Sequence, residues 1–191
     1  AFLLLALVVI PLIAEMEVIL QLWLSDIPEH AAMFCRFILV AALCDQISIG
    51  WTSANQAIGK IRTYNIIFYT LKLLVIIIAW WCFQEGLPII SVMWGYVAIE
   101  FIGSFVRLPL MKHIANIPIT PFFKNVFLRI IGPLATMVVV CYSSAILIDI
   151  PYRLILTFSC SLVVGVLSIW GFALNIEEKQ YVKNIIKKLK K

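Results

Sequence analysis

The chain has 191 residues, of which 63% are hydrophobic and 13% charged, with a formal net charge of +5. A soluble domain carries roughly 25% charged residues, so water is excluded as the main solvent. The expected fold class is an all-α integral membrane protein, because a spanning helix needs about 20 mostly apolar residues and stretches of that kind fill nearly the whole sequence.

Six spans are predicted, over residues 2–24, 31–58, 65–83, 89–110, 126–148 and 152–174. Together they form one transmembrane domain, residues 1–174, followed by a basic tail, 175–191. The first span begins in apolar sequence at Ala1, with no initiator Met and no signal-like leader. That predicts missing N-terminal helices and a larger bundle. Pro11 predicts a kink. Glu15 and Glu17 stand about 200° apart around a helix, so at most one of them faces a given cavity, and the sequence does not choose. Glu17 shares a face with Gln21, which predicts polar packing near the outer end.

Span two carries Asp45, Ser48, Thr52, Asn55 or Gln56, and Gly59 at three-and-four spacing. Lipid would reject that face, so it is expected to be packed on protein or wet, with Ala41 and Ala42 continuing it as a small-residue surface. Arg36 points the opposite way from Asp45. It lies roughly 9 Å below the outer end, where it can snorkel or meet a phosphate. In span three Asn65, Tyr69 and Lys72 share a face, and Lys72 has the same two readings from the inside.

Span four is the most informative. Tyr96, Glu100, Ser104 and Arg107 fall on one face, with Gly95 and Gly103 nearby. Glu100 lies about 18 Å along a path of roughly 30 Å, and Arg107 about 10 Å beyond it, too far for a direct bond. A carboxylate at that depth costs at least about 2.5 kcal/mol if it faces lipid. It either lines a hydrated cavity that takes a cation or proton, or is satisfied by a neighbouring helix. Arg107 either receives a phosphate or sugar acid or snorkels. Tyr, Lys and Arg on inward faces suit an anionic head group bearing sugars, since guanidinium pairs with phosphate and aromatic rings stack on pyranose faces.

Spans five and six are less polar. Arg129, Thr136 and Ser143 form a modest stripe read as structural. In the tail, Asn175 caps a helix with Glu178 three residues on. Val182, Ile185, Ile186 and Leu189 then recur at helical spacing. Lys183, Lys187, Lys188, Lys190 and Lys191 occupy the other face, as in an amphipathic helix on the membrane surface. No aromatic platform accompanies them, so nucleic acid is not an expected partner. The five cysteines, Cys35, Cys44, Cys82, Cys141 and Cys160, are read as small buried hydrophobes, and no metal or cofactor is implied.

The connections alternate in charge. Ser25–Glu29 and Gln84–Gly86 are acidic; Gly59–Arg62 is basic, as is the segment carrying Arg107, Lys112, His113, Lys124 and Arg129. The loop around Asp149 and Arg153 is nearly neutral, and the tail is lysine-rich. Basic loops stay in the cytoplasm, which sends the first span outward and leaves the C-terminus cytoplasmic.

Three segments carry a resemblance: LLLALVVIPLIAEMEVILQLWLSDIPEHA at residues 3–31, NQAIGKIRTYN at 55–65, and the ending LNIEEKQYVKNIIKKLKK. The pattern resembles the bacterial polysaccharide and O-antigen flippases of the multidrug/oligosaccharidyl-lipid/polysaccharide exporter superfamily. These motifs are compositional rather than catalytic. The resemblance implies the last six helices of a two-lobed bundle of twelve to fourteen helices in the bacterial inner membrane, moving an undecaprenyl-pyrophosphate-linked oligosaccharide by alternating access. It also implies that only spans one to four line the cavity. The weight for substrate or ion contact then falls on Glu15, Arg36, Asp45, Lys72, Glu100 and Arg107, and spans five and six serve as packing or a lipid-tail groove.

Two other classes compete. A cation-coupled multidrug antiporter would use Glu100 and Asp45 for Na+ or H+, and Arg36, Lys72 and Arg107 argue against its less basic cavity. A membrane-embedded transferase would need a nucleophile or metal-bound base. His30 and His113, the two histidines, are placed at opposite faces, so no enzyme is expected.

Overall fold

A computed structural model describes residues 1–59, 61–115, 127–147, 153–175, 178–181 and 184, and of residues 111, 114, 115 and 145–147 the backbone only. All regular structure among them is helical: α1 (Phe2–Ala14), α2 (Met16–Trp23), α3 (Ala31–Gln46), α4 (Ile49–Ile58), α5 (Ile61–Gln84), α6 (Ile89–Ala115), α7 (Leu128–Leu147) and α8 (Arg153–Ser168), which ends in a π turn over Ile169–Ala173.

Among the described residues, three helical stretches, Ile61–Gln84, Ile89–Leu110 and Arg153–Ala173, are long and apolar enough to cross a membrane. The number rises to five when α1 with α2, and α3 with α4, each count as one broken crossing. In α7 the apolar stretch Leu128–Ser144 is shorter. Side chains such as Ile66, Leu73, Ile76, Ile77, Trp80 and Phe83 on α5 stand exposed, an arrangement that water penalises and hydrocarbon does not.

Two expectations of continuous helices are corrected. Span one is interrupted at Glu15, one turn past the expected kink at Pro11. Pro11 sits inside α1, where its missing N–H removes one helical bond, but the Pro11 carbonyl still accepts from the Glu15 N–H at 3.0 Å. Span two is two helices bent by 46° at Ile47–Ser48. Elsewhere the ends follow local chemistry. Gly59 closes α4 at φ 81°, its N–H shared by the Asn55 and Gln56 carbonyls, a left-handed position suited to glycine. At the start of the tail, the Asn175 N–H donates to Glu178 Oε2 at 2.7 Å, which is the expected capping pair. Lys183, Lys187, Lys188, Lys190 and Lys191 lie outside the described residues.

The chain divides into two compact units, residues 1–2 with 16–120, and residues 3–15 with 121–191. In the first, α6 is the central helix, packed by α3, α4 and α5. Its glycines permit that closeness. A Cβ on Gly95 would stand 2.6 Å from Ile78 Cγ2, and one on Gly103 would stand 3.3 Å from both Leu71 Cδ2 and the Phe68 ring. In the second unit α7 lies along α8. The buried face of α8 is Thr157, Ser161, Gly165 and Ser168, small residues that let helices approach. A Cβ on Gly165 would collide with Leu7 and Met137.

Candidate functional site

In the first unit the polar stripes predicted on spans two and four meet each other. Glu100 and Arg107 on α6 are both buried, and they take different partners, as their separation along the helix requires. Lys72 Nζ on α5 pairs with Glu100 Oε1 at 2.8 Å. Arg107 Nη2 donates to Asp45 Oδ1 on α3 at 2.6 Å, and its Nη1 to Ser48 Oγ at 2.7 Å.

Phe68, one turn before Lys72 on α5, joins the two pairs. The Arg107 guanidinium carbon stands 3.9 Å from the ring centroid, and Lys72 Nζ 4.9 Å. Cations at these distances are attracted to the ring's negative face. The result is a chain of four charges and one ring, Asp45, Arg107, Phe68, Lys72 and Glu100, drawn from three helices. Formal charge within it sums to zero, which is how a low-dielectric interior tolerates ionised groups. Tyr96, the fourth member of the α6 stripe, sets its hydroxyl toward the Glu100 carboxylate as a side-chain hydrogen-bonding neighbour, with the charges of Lys72 and Asp45 also acting on it.

Satisfaction is incomplete at two atoms. Glu100 Oε2 and Arg107 Nε are buried without a hydrogen-bond partner among the described residues. An oxygen and a guanidinium N–H left open beside a neutralised pair can accept a cation or proton and donate to an anion, respectively.

Of the rest of the span-two stripe, Thr52 is tied to α5, its Oγ1 2.9 Å from Tyr64 Oη, and the buried Asn55 Oδ1 has no hydrogen-bond partner among the described residues. Ala41 is buried as expected, whereas Ala42 is exposed.

Two candidates fall elsewhere. Arg36 does not stand free for a phosphate: its Nη1 pairs with Glu17 Oε1 at 3.1 Å, with both side chains partly exposed. Glu17 thus has a partner on α3, more specific than the general polar packing inferred from Gln21. Glu15 departs from the four-span cavity reading. It belongs to the second unit, fully buried, where Arg153 Nε and Nη2 donate to its Oε2 at 3.1 and 3.0 Å, and Thr157 Oγ1 to its Oε1 at 2.9 Å. The break at Glu15 also settles which carboxylate faces where. Glu15 turns to α8, Glu17 to α3.

Arg153 and Phe68 are the residues that sequence reasoning missed. By charge Arg153 falls in a nearly neutral loop, yet it opens α8 and its partner lies 138 positions away. Its signal was present as a lone Arg with Thr157 one turn on. Phe68 carried none. In α7 two members of the expected structural stripe bond within their own helix, Thr136 to the Pro133 carbonyl and Ser143 to that of Val140. Cys82 and Cys141 are buried, Cys35 and Cys44 half-buried, and Cys160 is exposed against expectation. Its place on α8, inside an apolar crossing stretch, accounts for a thiol there.

No family model, no curated protein and no solved structure matches the chain.

Proposed function

We propose that this chain takes part in moving a lipid-linked oligosaccharide across the bacterial inner membrane by alternating access, as a flippase rather than an enzyme. The observation that carries this reading is the neutral chain of four charges on Phe68, set within helices long and apolar enough to cross a bilayer. Ionisable groups within membrane-crossing helices are costly and mark pathways by default. The substrate class rests on the cations. Arg107 offers a planar fork that fits phosphate oxygens, Lys72 a second positive point beside it, and the aromatic residues between and around them a surface for sugars. Six crossings, with α7 as one, and the further helices of a two-lobed bundle complete the proposal.

A second reading is favoured by one atom. The open Oε2 of Glu100 suits a coupling cation or proton, as in a multidrug antiporter of the same superfamily.

The test uses the full-length protein in cells. Glu100→Gln and Arg107→Ala are each expected to cut surface-polysaccharide assembly at least about tenfold while the protein still accumulates in the membrane. Normal polysaccharide from both variants rejects the flippase reading. Loss of drug resistance in Glu100→Gln with polysaccharide intact selects the antiporter.

A further inference from the structure

The bend in span two has an unusual support. No proline stands between Cys44 and Ser48, and the break is tightened by short-range bonds, the Ile47 N–H to the Cys44 carbonyl and the Ser48 N–H to that of Asp45, each at 3.3 Å. In a continuous helix those two carbonyls would instead take the N–H groups of Ser48 and Ile49. Here the additional donors come from α6. The Ser104 hydroxyl bonds the Cys44 carbonyl, and Arg107 Nη1 lies 3.3 Å from the Asp45 carbonyl while also holding Ser48 Oγ. A side chain inserted into the helical ladder is a recognised cause of a sharp bend.

We propose that the break between α3 and α4 is a switch held open by Arg107, and that a phosphate or diphosphate group which draws the guanidinium away lets the two segments join as one straight helix. Away from water a carbonyl must keep a partner. Once Arg107 leaves, the Asp45 carbonyl keeps only the Ser48 N–H at 3.3 Å; the Ile49 N–H four residues on is its helical replacement, and taking it frees the Ser48 N–H for the Cys44 carbonyl and closes the break. Arg107 is suited to be drawn off. Its Nε is already unpartnered, and its fork matches a phosphate at least as well as it matches Asp45 and Ser48. Asp45, with a side chain one-third exposed, is not stranded when the cation goes. The carbonyl exchange is independent of the transport reading; the anionic trigger rests on it.

The test is a distance across the break, in full-length protein whose cysteines, Cys35, Cys44, Cys82, Cys141 and Cys160 among them, are replaced before labelling. Spin labels at Met33 and Ile58, both exposed, flank 25 residues, about 37 Å of straight helix at about 1.5 Å per residue. The 46° bend shortens that span by about 3 Å. Arg107→Gln is expected to lengthen the distance by that amount and Arg107→Lys by less. On the chain with Arg107 intact, inorganic pyrophosphate or a polyprenyl diphosphate in nanodiscs is expected to produce the same lengthening. Neither should add anything to Arg107→Gln. A response to both probes assigns the trigger to the diphosphate itself, and a response to the lipid alone assigns it to the lipid-borne group. An unchanged distance in Arg107→Gln, or with both probes, overturns the switch. Polysaccharide assembly measured in the same variants separates the two readings. Straightening with normal assembly leaves the switch standing and rejects transport by this site; lost assembly with an unchanged bend does the reverse.

Discussion

The two buried carboxylates, Glu100 in one unit and Glu15 in the other, face the same problem and solve it differently. Glu15 has both oxygens engaged, one by the Arg153 fork and one by Thr157, and Ser144 Oγ stands 3.3 Å behind Thr157. Glu100 has one oxygen on a lysine and the other open. A closed network rigidifies, whereas an open atom leaves room for a ligand or a proton. Equal burial therefore does not mean equal role. Glu15 reads as a tie between α1 and α8, Glu100 as part of a responsive site.

Removing the cation from each network is the strongest way to break that contrast. Arg153→Ala leaves the buried Glu15 without its cation, and stripping one partner from a buried pair costs about 3–5 kcal/mol. Lys72→Met should cost less, because Glu100 already sits with one oxygen unmet and its lysine is 36% exposed. Thermal melting in detergent ranks the two, and the Glu15→Gln, Arg153→Gln double variant should recover most of the Arg153→Ala loss. Equal or greater loss from Lys72→Met removes the distinction.

A middling effect separates the helix contacts of the two units. Gly95→Ala drives a methyl against Ile78 Cγ2 at 2.6 Å, a branch that cannot swing away without leaving its rotamer, and overpacking of this kind costs about 1–3 kcal/mol. Gly165→Ala meets the flexible tips of Leu7 and Met137 and is expected to cost less, again by melting temperature. The reverse order would show that α1 is held more rigidly against α8 than its tips suggest.

The smallest effect concerns Glu17. Its pair with Arg36 is 64% exposed on the acid's side, and such pairs contribute about 0–1 kcal/mol. Glu17→Ala should leave melting within about a degree or two of the parent, and a larger drop would place Arg36 among the residues that depend on a partner.

Much of this was legible in the sequence wherever the determinant was local. Helical class, the stripes Asp45–Ser48–Thr52 and Glu100–Ser104–Arg107, and the Asn175–Glu178 cap all follow from periodicity within one segment. Pairings between segments did not follow. Lys72 could have snorkelled, Arg36 could have met a phosphate, and Arg153 looked like loop, because side-chain spacing fixes a face but not what lies opposite it. The breaks at Glu15 and Ile47 were hidden for a related reason. Neither sits at a proline, and the second is supported by residues some 60 positions further along.

Phe68 carries one more consequence. A phenylalanine in an apolar helix contributes nothing to a tally of charges, yet here two cations lean on a single ring, so neither can be rearranged without altering what the other feels. An electrostatic circuit in this unit therefore runs partly through hydrocarbon. Substituting leucine there would preserve hydropathy, volume class and every formal charge while cutting the wire between the two pairs.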